Sequence, residues 1–278
     1  MATVHPTGDY WVMGETAVDA AARRAARRRR LVLRCISVVL LFMLWTVLSQ
    51  VVPFKAVVSP LETAQTIDHE FSTGVLLPAL GVTMLRVAEA FVAAMVLGIA
   101  FGIALGSSGT LEALLSLWVT VAITIPGLIW LVIGYISFGV RTDIGALVAV
   151  TAMVTPTVLV SIMQGTRAID RQLIEMARSY GHDTSSIIRR IIIPQLLPYI
   201  LSAARYGMAL TWQMVIFAEI VGRPDGMGVQ IYYSYQTSYI PGIWAVGLTF
   251  VAVALFLEFG VLGNVQRYFF RWRPEEMQ

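Results

Sequence analysis

The stretch EMARSYGHDTSSIIRRIIIP, residues 175–194, is a polar block that separates two long apolar segments of the chain. In residues 170–180 the apolar side chains share one face of a helical wheel: Leu173, Ile174, Met176, Ala177 and Tyr180. In residues 185–193 a second apolar face is formed by Ile187, Ile188, Ile191 and Ile192. The block therefore predicts two short amphipathic helices in succession.

The ends of these two helices are predicted from capping residues. Asp170 suits the N-cap of the first helix, and Gly181 suits the left-handed conformation that ends it. Three residues can cap the second helix: Asp183, Thr184 and Ser185. Pro194 is expected to discourage its continuation. We call residues 170–194 the elbow. Periodicity leaves open whether the elbow protrudes as a bent unit or lies as two interfacial helices on lipid.

The composition is typical of a helical membrane protein with several spans. Hydrophobic residues make up 57% of the chain and charged residues 13%, which argues against a soluble enzyme. Six apolar runs are long enough to cross a bilayer: 33–52, 85–106, 113–138, 144–164, 198–222 and 242–263. Pro126 and Gly127 predict a kink in the third run, and Pro156 allows one in the fourth.

The arginines predict the orientation of these spans. Of twenty basic residues, seven precede or enter span one, five lie between spans four and five, and three follow span six. The chain is expected to lie in a bacterial plasma membrane. The positive-inside rule then places both termini and the loop 165–197 on the cytoplasmic side. Residues 1–30 are expected to form a disordered, arginine-rich cytoplasmic tail, and residues 31–278 the membrane domain.

Several other classes of function lack support. The run RRAARRRR can suggest nucleic-acid binding, but it abuts a span and is better explained as a topology signal. The three histidines lack metal-ligand spacing, and a single cysteine cannot form an intramolecular disulfide. The only lysine lies in VVPFKAVV, which is not a P-loop. An uncleaved anchor explains span one better than a signal peptide does.

The elbow resembles the EAA signature of ATP-binding-cassette importer permeases. Glu175, Ala177 and Gly181 are followed, at that signature's spacing, by Ile191, Ile193 and Pro194; Met176 and Ile193 depart from it but stay apolar. The stretches TMLRVAEAF (83–91), LPYILSAARYGMAL (197–210) and AEIVGRPDGMGVQI (218–231) are similar to the nitrate/sulfonate/taurine type of permease. The resemblance covers roughly residues 75–273.

This resemblance implies a fold, a mechanism and a set of partners. The chain is expected to be an all-α, six-span type I importer permease, without enzymatic activity, that pairs with a second copy and with membrane lipid. A separate ATPase dimer would bind ATP and magnesium, and a binding protein would deliver a small anionic solute. The elbow would couple to the ATPase through Glu175, Ala177, Arg178, Gly181, Ile191, Ile193 and Pro194. Relatives often carry a proline near position 132 and a tryptophan near position 137, where this chain has Val132 and Ser137. The transported solute is therefore not expected to be a typical nitrate or alkyl sulfonate.

Polar and aromatic residues on the spans are candidates for the translocation route: Glu89, Trp212, Gln213 and Glu219. Arg86 and Glu89 are three residues apart, a spacing that allows an ion pair, and Arg205 is expected to be a structural anchor near the elbow. The rival function is a stand-alone secondary carrier, which needs no ATPase and binds its coupling ion at a charged site in the membrane.

Overall fold

A computed structural model describes residues 17–53, 56–140 and 142–264, and these residues form helices joined by turns, with no strand among them. The α-helices are α1 (Ala17–Val51), α2 (Pro60–Ser72), α3 (Leu76–Ser107), α4 (Gly109–Thr124), α5 (Gly127–Phe138), α6 (Asp143–Arg167), α7 (Arg171–Ser179), α8 (Thr184–Ile187), α9 (Ile193–Gly222), α10 (Met227–Gln236) and α11 (Ile240–Leu255). Two π-helical segments, π1 (Ile188–Ile192) and π2 (Phe256–Leu262), precede α9 and follow α11.

The chain divides into two units, the first ending at Glu62 and the second beginning at Thr63. Helix α1 belongs to the first unit, where the indole of Trp45 donates a 2.8 Å hydrogen bond to the Val58 carbonyl. Helix α1 begins at Ala17, within the segment 1–30 that the sequence predicts to be a tail. Alanine and arginine are strong helix formers, which explains the early start. Residues 1–16 lie outside the described residues.

The second unit is built around α3, α6 and α9. Their facing sides bury small and branched residues, among them Ala94, Val154, Ile162, Ala203 and Val215. In a bilayer, helices associate through close packing rather than through a hydrophobic driving force, so small residues at these contacts are expected.

Glycines bring α3 and α6 into backbone contact. A Cβ built on Gly102 would lie 2.6 Å from the Ile162 Cβ and 2.8 Å from the Leu159 carbonyl oxygen. A Cβ on Gly106 would lie 2.6 Å from the Thr166 Cβ. Gly102 and Gly106 are four residues apart and so lie on the same face of α3. Because neither has a side chain, the backbone of α6 can approach this face closely.

The third predicted span consists of two separate helices, a sharper break than the kink that the sequence predicts. Helices α4 and α5 meet at an angle of 97° at the predicted residues Pro126 and Gly127. Glu112, in α4, pairs with Arg167 at the end of α6, whereas Gly134, in α5, packs against Gly145 at the start of α6. Because the two halves contact opposite ends of one spanning helix, the bent pair crosses the membrane instead of returning to the same side.

Five single helices are long and apolar enough to cross a membrane, and the bent pair counted as one span brings their number to the six predicted. The main difference from the prediction is at α3, which begins at Leu76, nine residues before the predicted start. Helix α6 continues through Pro156. In the second unit we call the end of the spans beside residues 170–194 the elbow end and the opposite end the distal end.

Candidate functional site

The elbow consists of α7, a glycine turn and α8 with π1. Asp170 caps α7, since its Oδ1 accepts hydrogen bonds from the Gln172 and Leu173 amides at 2.8 and 3.4 Å. Asp183, one of three predicted candidates, caps α8 by accepting from the Ser186 amide at 3.2 Å. The predicted caps of both helices are therefore confirmed.

The bend of the elbow is set by Gly181. Its φ of +78° lies in the left-handed region, as predicted. The Gly181 amide donates to the Arg178 carbonyl at 3.0 Å, and the His182 amide donates to the Ala177 carbonyl at 3.1 Å. This pair of hydrogen bonds is the Schellman arrangement that ends a helix and turns the chain away.

The elbow exposes most of the residues predicted to contact a partner. Glu175, Arg178, Ile193 and Pro194 are exposed, Ile191 is half-buried and Ala177 is buried. Two apolar side chains project further, with Tyr180 79% and Met176 52% exposed. Tyr180 and Met176 also line a shallow groove between the arms of the elbow, together with His182, Ser186, Arg190 and Ile191.

The second arm of the elbow does not end at Pro194, contrary to the prediction. It runs from α8 through π1 directly into α9, where Pro194 occupies the first turn. Proline is tolerated there because π1 shifts the backbone hydrogen bonds just before it, as in the bond from the Ile193 amide to the Ile188 carbonyl, and such local π adjustments accommodate the amide that proline lacks. The elbow is also tied to α9 by a 2.9 Å hydrogen bond from the Asp170 amide to the Gln195 side-chain oxygen. Elbow and span therefore form a continuous element.

A second polar cluster lies at the distal end, around Arg86 of α3. The Arg86 guanidinium donates from Nε to Asp143 at 2.8 Å and from Nη1 to Glu219 at 2.9 Å. It also donates to the Asp225 carbonyl oxygen at 2.8 Å and forms an ion pair with the Asp225 carboxylate. We call Arg86, Asp143, Glu219, Arg223 and Asp225 the distal network, because they link α3, α6, α9 and the turn after α9.

Glu219 is the buried member of the distal network, with 1% of its surface exposed. Its carboxylate lies 2.9 Å from the Thr83 hydroxyl and accepts from the Gly228 amide at 2.9 Å. The Thr83 hydroxyl in turn accepts from the Met227 amide at 2.9 Å. A buried carboxylate is stable only when its oxygens are satisfied, and here they are satisfied by Arg86, Thr83 and the first turn of α10.

The turn after α9 is shaped to accept this carboxylate. Gly226 has a φ of +111°, and a Cβ at this position would overlap the Glu219 carboxylate. Arg223 closes the other side, pairing with Asp143 at 2.6 Å and donating to the Val140 carbonyl at 3.3 Å. The sequence indicates a role for this glycine-containing turn, but it does not reveal that the turn encloses the Glu219 carboxylate.

The predicted ion pair between Arg86 and Glu89 is not formed. The Arg86 donors are directed toward Asp143, Glu219 and Asp225, the last two more than 130 residues away. Glu89 is exposed and lines a small cleft with Arg86, Asp143, Ala146 and Leu147. Among the described residues, the Glu89 carboxylate has neither an ion pair nor a hydrogen bond.

The other predicted route residues fall into two groups. Gln213 is exposed on α9. Trp212 is buried and stacks on Phe250 of α11, with ring centroids 4.3 Å apart, and Glu219 is buried in the distal network. Trp212 and Glu219 therefore have structural contacts within the subunit, and neither side chain reaches its surface in this structure.

The remaining arginines of the second unit's spans are paired toward the elbow end. Arg205 donates from Nε to Glu258 of π2 at 2.8 Å, which agrees with its predicted role as an anchor. Arg167 pairs with Glu112. The network that sequence reasoning missed is therefore the distal one, whose members come from four separate parts of the chain.

Comparison with known proteins identifies the family. The model of the binding-protein-dependent transport system inner membrane component matches residues 94–272, more than half of the chain. The taurine transport system permease protein TauC of Escherichia coli is 28% identical over 206 residues, 74% of each chain. The bicarbonate transport system permease protein CmpB of Synechococcus elongatus is 30% identical over 177 residues, 63% of each chain.

Solved structures support the same fold. A chain of the MetNI methionine ABC transporter in an inward-facing conformation has a TM-score of 0.60 and 21% identity; the match covers 72% of this chain and 98% of that one. An amino acid ABC transporter chain has a TM-score of 0.57 and 19% identity, covering 74% and 98%. With the family match over residues 94–272, this chain belongs to the inner membrane components of binding-protein-dependent transport systems.

Proposed function

We propose that this chain is the translocation subunit of an ATP-driven importer and that its elbow is the point at which a separate ATPase acts on it. The observation that carries the proposal is the geometry of the elbow. Two capped helices meet at a left-handed glycine and expose Met176 and Tyr180 beside several arginines. Exposed apolar side chains on a polar protrusion favour a protein partner that covers them.

The connection between elbow and spans suits the transfer of a mechanical displacement. The elbow continues through π1 into α9 without a flexible linker, and Asp170 is bonded to Gln195. A movement of the elbow would therefore be passed to α9 as a rigid body. ATP binding would close the ATPase dimer and bring two elbows together, the spans would open away from the cytoplasm, and hydrolysis would reset them.

The partners follow from the same proposal. ATP and magnesium would be bound by the ATPase dimer, a binding protein outside the membrane would deliver the solute, and a second copy of this chain would complete the route. Helix α4 supports the second copy, because none of its residues is buried within the subunit and Leu114, Leu117 and Trp118 are widely exposed. Lipid and a second subunit would share these surfaces, with no role for nucleic acid.

We also propose an orientation in the membrane and a class of solute. The arginine distribution supports cytoplasmic termini and a cytoplasmic elbow in a bacterial plasma membrane. The names of the relatives, which give taurine for TauC and bicarbonate for CmpB, support a small solute. Glu89 and Gln213 are the predicted route residues with side chains on the subunit surface, and we propose that the route passes them.

The proposal is tested by reconstituting the purified chain in liposomes with and without its ATPase and binding protein. The expected result is uptake that requires all three components and ATP. A Tyr180→Asp variant should lose the ATPase on co-purification, since it replaces an exposed aromatic side chain of the elbow with a charged one that a partner would have to bury. A matched Tyr235→Asp variant, altered at an exposed tyrosine of α10, should retain it. Uptake by the chain alone would establish the secondary-carrier alternative instead.

A further inference from the structure

The charged side chains on the spans of the second unit are almost completely paired. Arg86, Asp143, Glu219 and Arg223 belong to the distal network. Toward the elbow end, Glu112 pairs with Arg167 and Glu258 pairs with Arg205. Within the described parts of α3, α4, α5, α6, α9, α11 and π2, Glu89 is the one charged side chain without a partner of opposite charge.

Glu89 lies within the membrane part of α3, one helical turn from Arg86. Arg86 reaches Asp143, the first residue of α6, so it lies level with the distal end of that helix. Three residues of helix correspond to about 4.5 Å, which places Glu89 deeper, beside Ala146, Leu147 and Val150 in the cleft. A charged group in this position is costly to expose to lipid and is expected to face water or a partner charge.

Among the residues that the structure describes, the cleft has no free positive group to offer an anion. The Arg86 donors are directed toward three carboxylate groups and a carbonyl, and Arg223 is paired with Asp143. The network's two arginines face three carboxylates, so its formal charge is −1, and Glu89 adds a second negative charge. The described charged residues around Glu89 therefore favour a cation over an anion.

We propose that Glu89 is a substrate-contacting residue of the route and that it receives a protonated amine or another fixed positive charge of the solute. This inference rests on the proposed function and deepens it, since it names the chemical class of the cargo. It replaces the anionic solute that the family resemblance implies with a solute that carries a positive group, alone or beside an anionic one. The unpaired Glu89 carboxylate and the engagement of the Arg86 guanidinium by three other carboxylates are the observations that carry it.

The adjacent surface of α3 offers a reporter for this charge. Val92 lies one turn beyond Glu89 on the same side of the helix and is 57% exposed. Cys35 is the only cysteine of the chain, so a Cys35→Ser background makes Val92→Cys a single-cysteine variant. The probes are water-soluble methanethiosulfonates that carry either a trimethylammonium or a sulfonate group. Reaction rates are measured on the complete importer in nanodiscs, without nucleotide and with vanadate-trapped nucleotide.

The expected result is reaction with the cationic probe roughly tenfold faster than with the anionic probe in at least one nucleotide state, after correction for their rates with free thiol. Adding Glu89→Gln should remove most of this preference. Adding Asp68→Asn, which removes an exposed carboxylate of α2, should leave it unchanged. The net charge of the chain changes equally in the two variants, so only a local effect of Glu89 distinguishes them.

Three outcomes would overturn the proposal: equal rates for the two probes, a faster anionic probe, or no reaction in either state. The last outcome would place this side of α3 against lipid or inside a subunit interface. ATP hydrolysis stimulated by the binding protein is measured on the same preparation. If that stimulation is absent, the proposed importer function fails, whereas stimulation without a charge preference rejects only the role of Glu89.

Discussion

Arg86 donates a 2.9 Å hydrogen bond from Nη1 to the Glu219 carboxylate, although 133 residues separate the two in sequence. This contact joins the third turn of α3 to the last turn of α9. It also provides the charge that a nearly inaccessible carboxylate requires. The distal network is therefore a structural element of the subunit, and its removal should lower the thermal stability of the protein.

Removal of one partner of this pair should be more harmful than removal of both. An Arg86→Gln variant leaves Glu219 charged and buried, and we expect a loss of about 3–5 kcal/mol. In the double variant Arg86→Gln/Glu219→Gln much of this loss should be recovered, because no uncompensated charge remains. The measurement is the thermal transition of the detergent-solubilised protein. The single variant Glu219→Gln completes the cycle, and a double-variant loss equal to the sum of the two single losses would show that the two residues act independently.

The contact between α3 and α6 depends on glycine at position 102. A Gly102→Ala variant would place a Cβ 2.8 Å from the Leu159 carbonyl oxygen, and the forced separation should cost about 1–3 kcal/mol. Gly81→Ala, on the same helix, is the matched control because its Cβ meets no atom within 4 Å. Since alanine favours helix more than glycine does, Gly81→Ala should be neutral or slightly stabilising. A comparable loss in both variants would contradict the close packing.

Gly226 should be the least replaceable residue of the turn after α9. A Gly226→Ala variant meets two penalties, the left-handed backbone and the overlap with the Glu219 carboxylate. Gly74 has a φ of +74° but open space around its Cβ, so Gly74→Ala reports the backbone penalty of about 1–2 kcal/mol alone. Thermal stability should fall clearly further for Gly226→Ala. Identical values would mean that the carboxylate is not held as described.

Gly181 permits a test that separates backbone shape from side-chain contact. A Cβ at Gly181 meets no atom within 4 Å, so only its φ of +78° restricts substitution. Gly181→Asn, which tolerates the left-handed region, should retain ATP hydrolysis stimulated by the binding protein, whereas Gly181→Val should reduce it several-fold. Both variants should insert into the membrane normally. Full stimulation in Gly181→Val would argue against a mechanical role for the bend.

The sequence predicts what depends on local pattern and misses what depends on distant partners. The six crossings, the N-cap at Asp170 and the left-handed Gly181 follow from apolar runs and helix capping over a few residues. The partners of Arg86 lie 57 to 139 residues away, so spacing suggested Glu89 instead. Pro194 was expected to discourage continuation of the helix, but the π-helical segment π1 before it accommodates the missing amide, and the helix continues into α9.

The most direct test of the central claim is a photo-crosslink from the elbow in native membranes. A benzoylphenylalanine probe replaces Tyr180, which is 79% exposed in the elbow, or Tyr235, which is 70% exposed in α10. The probe at position 180 should crosslink to a nucleotide-hydrolysing subunit, and the probe at position 235 should not. Absence of any such subunit from the position 180 crosslinks, while the importer remains assembled and active, would contradict the account.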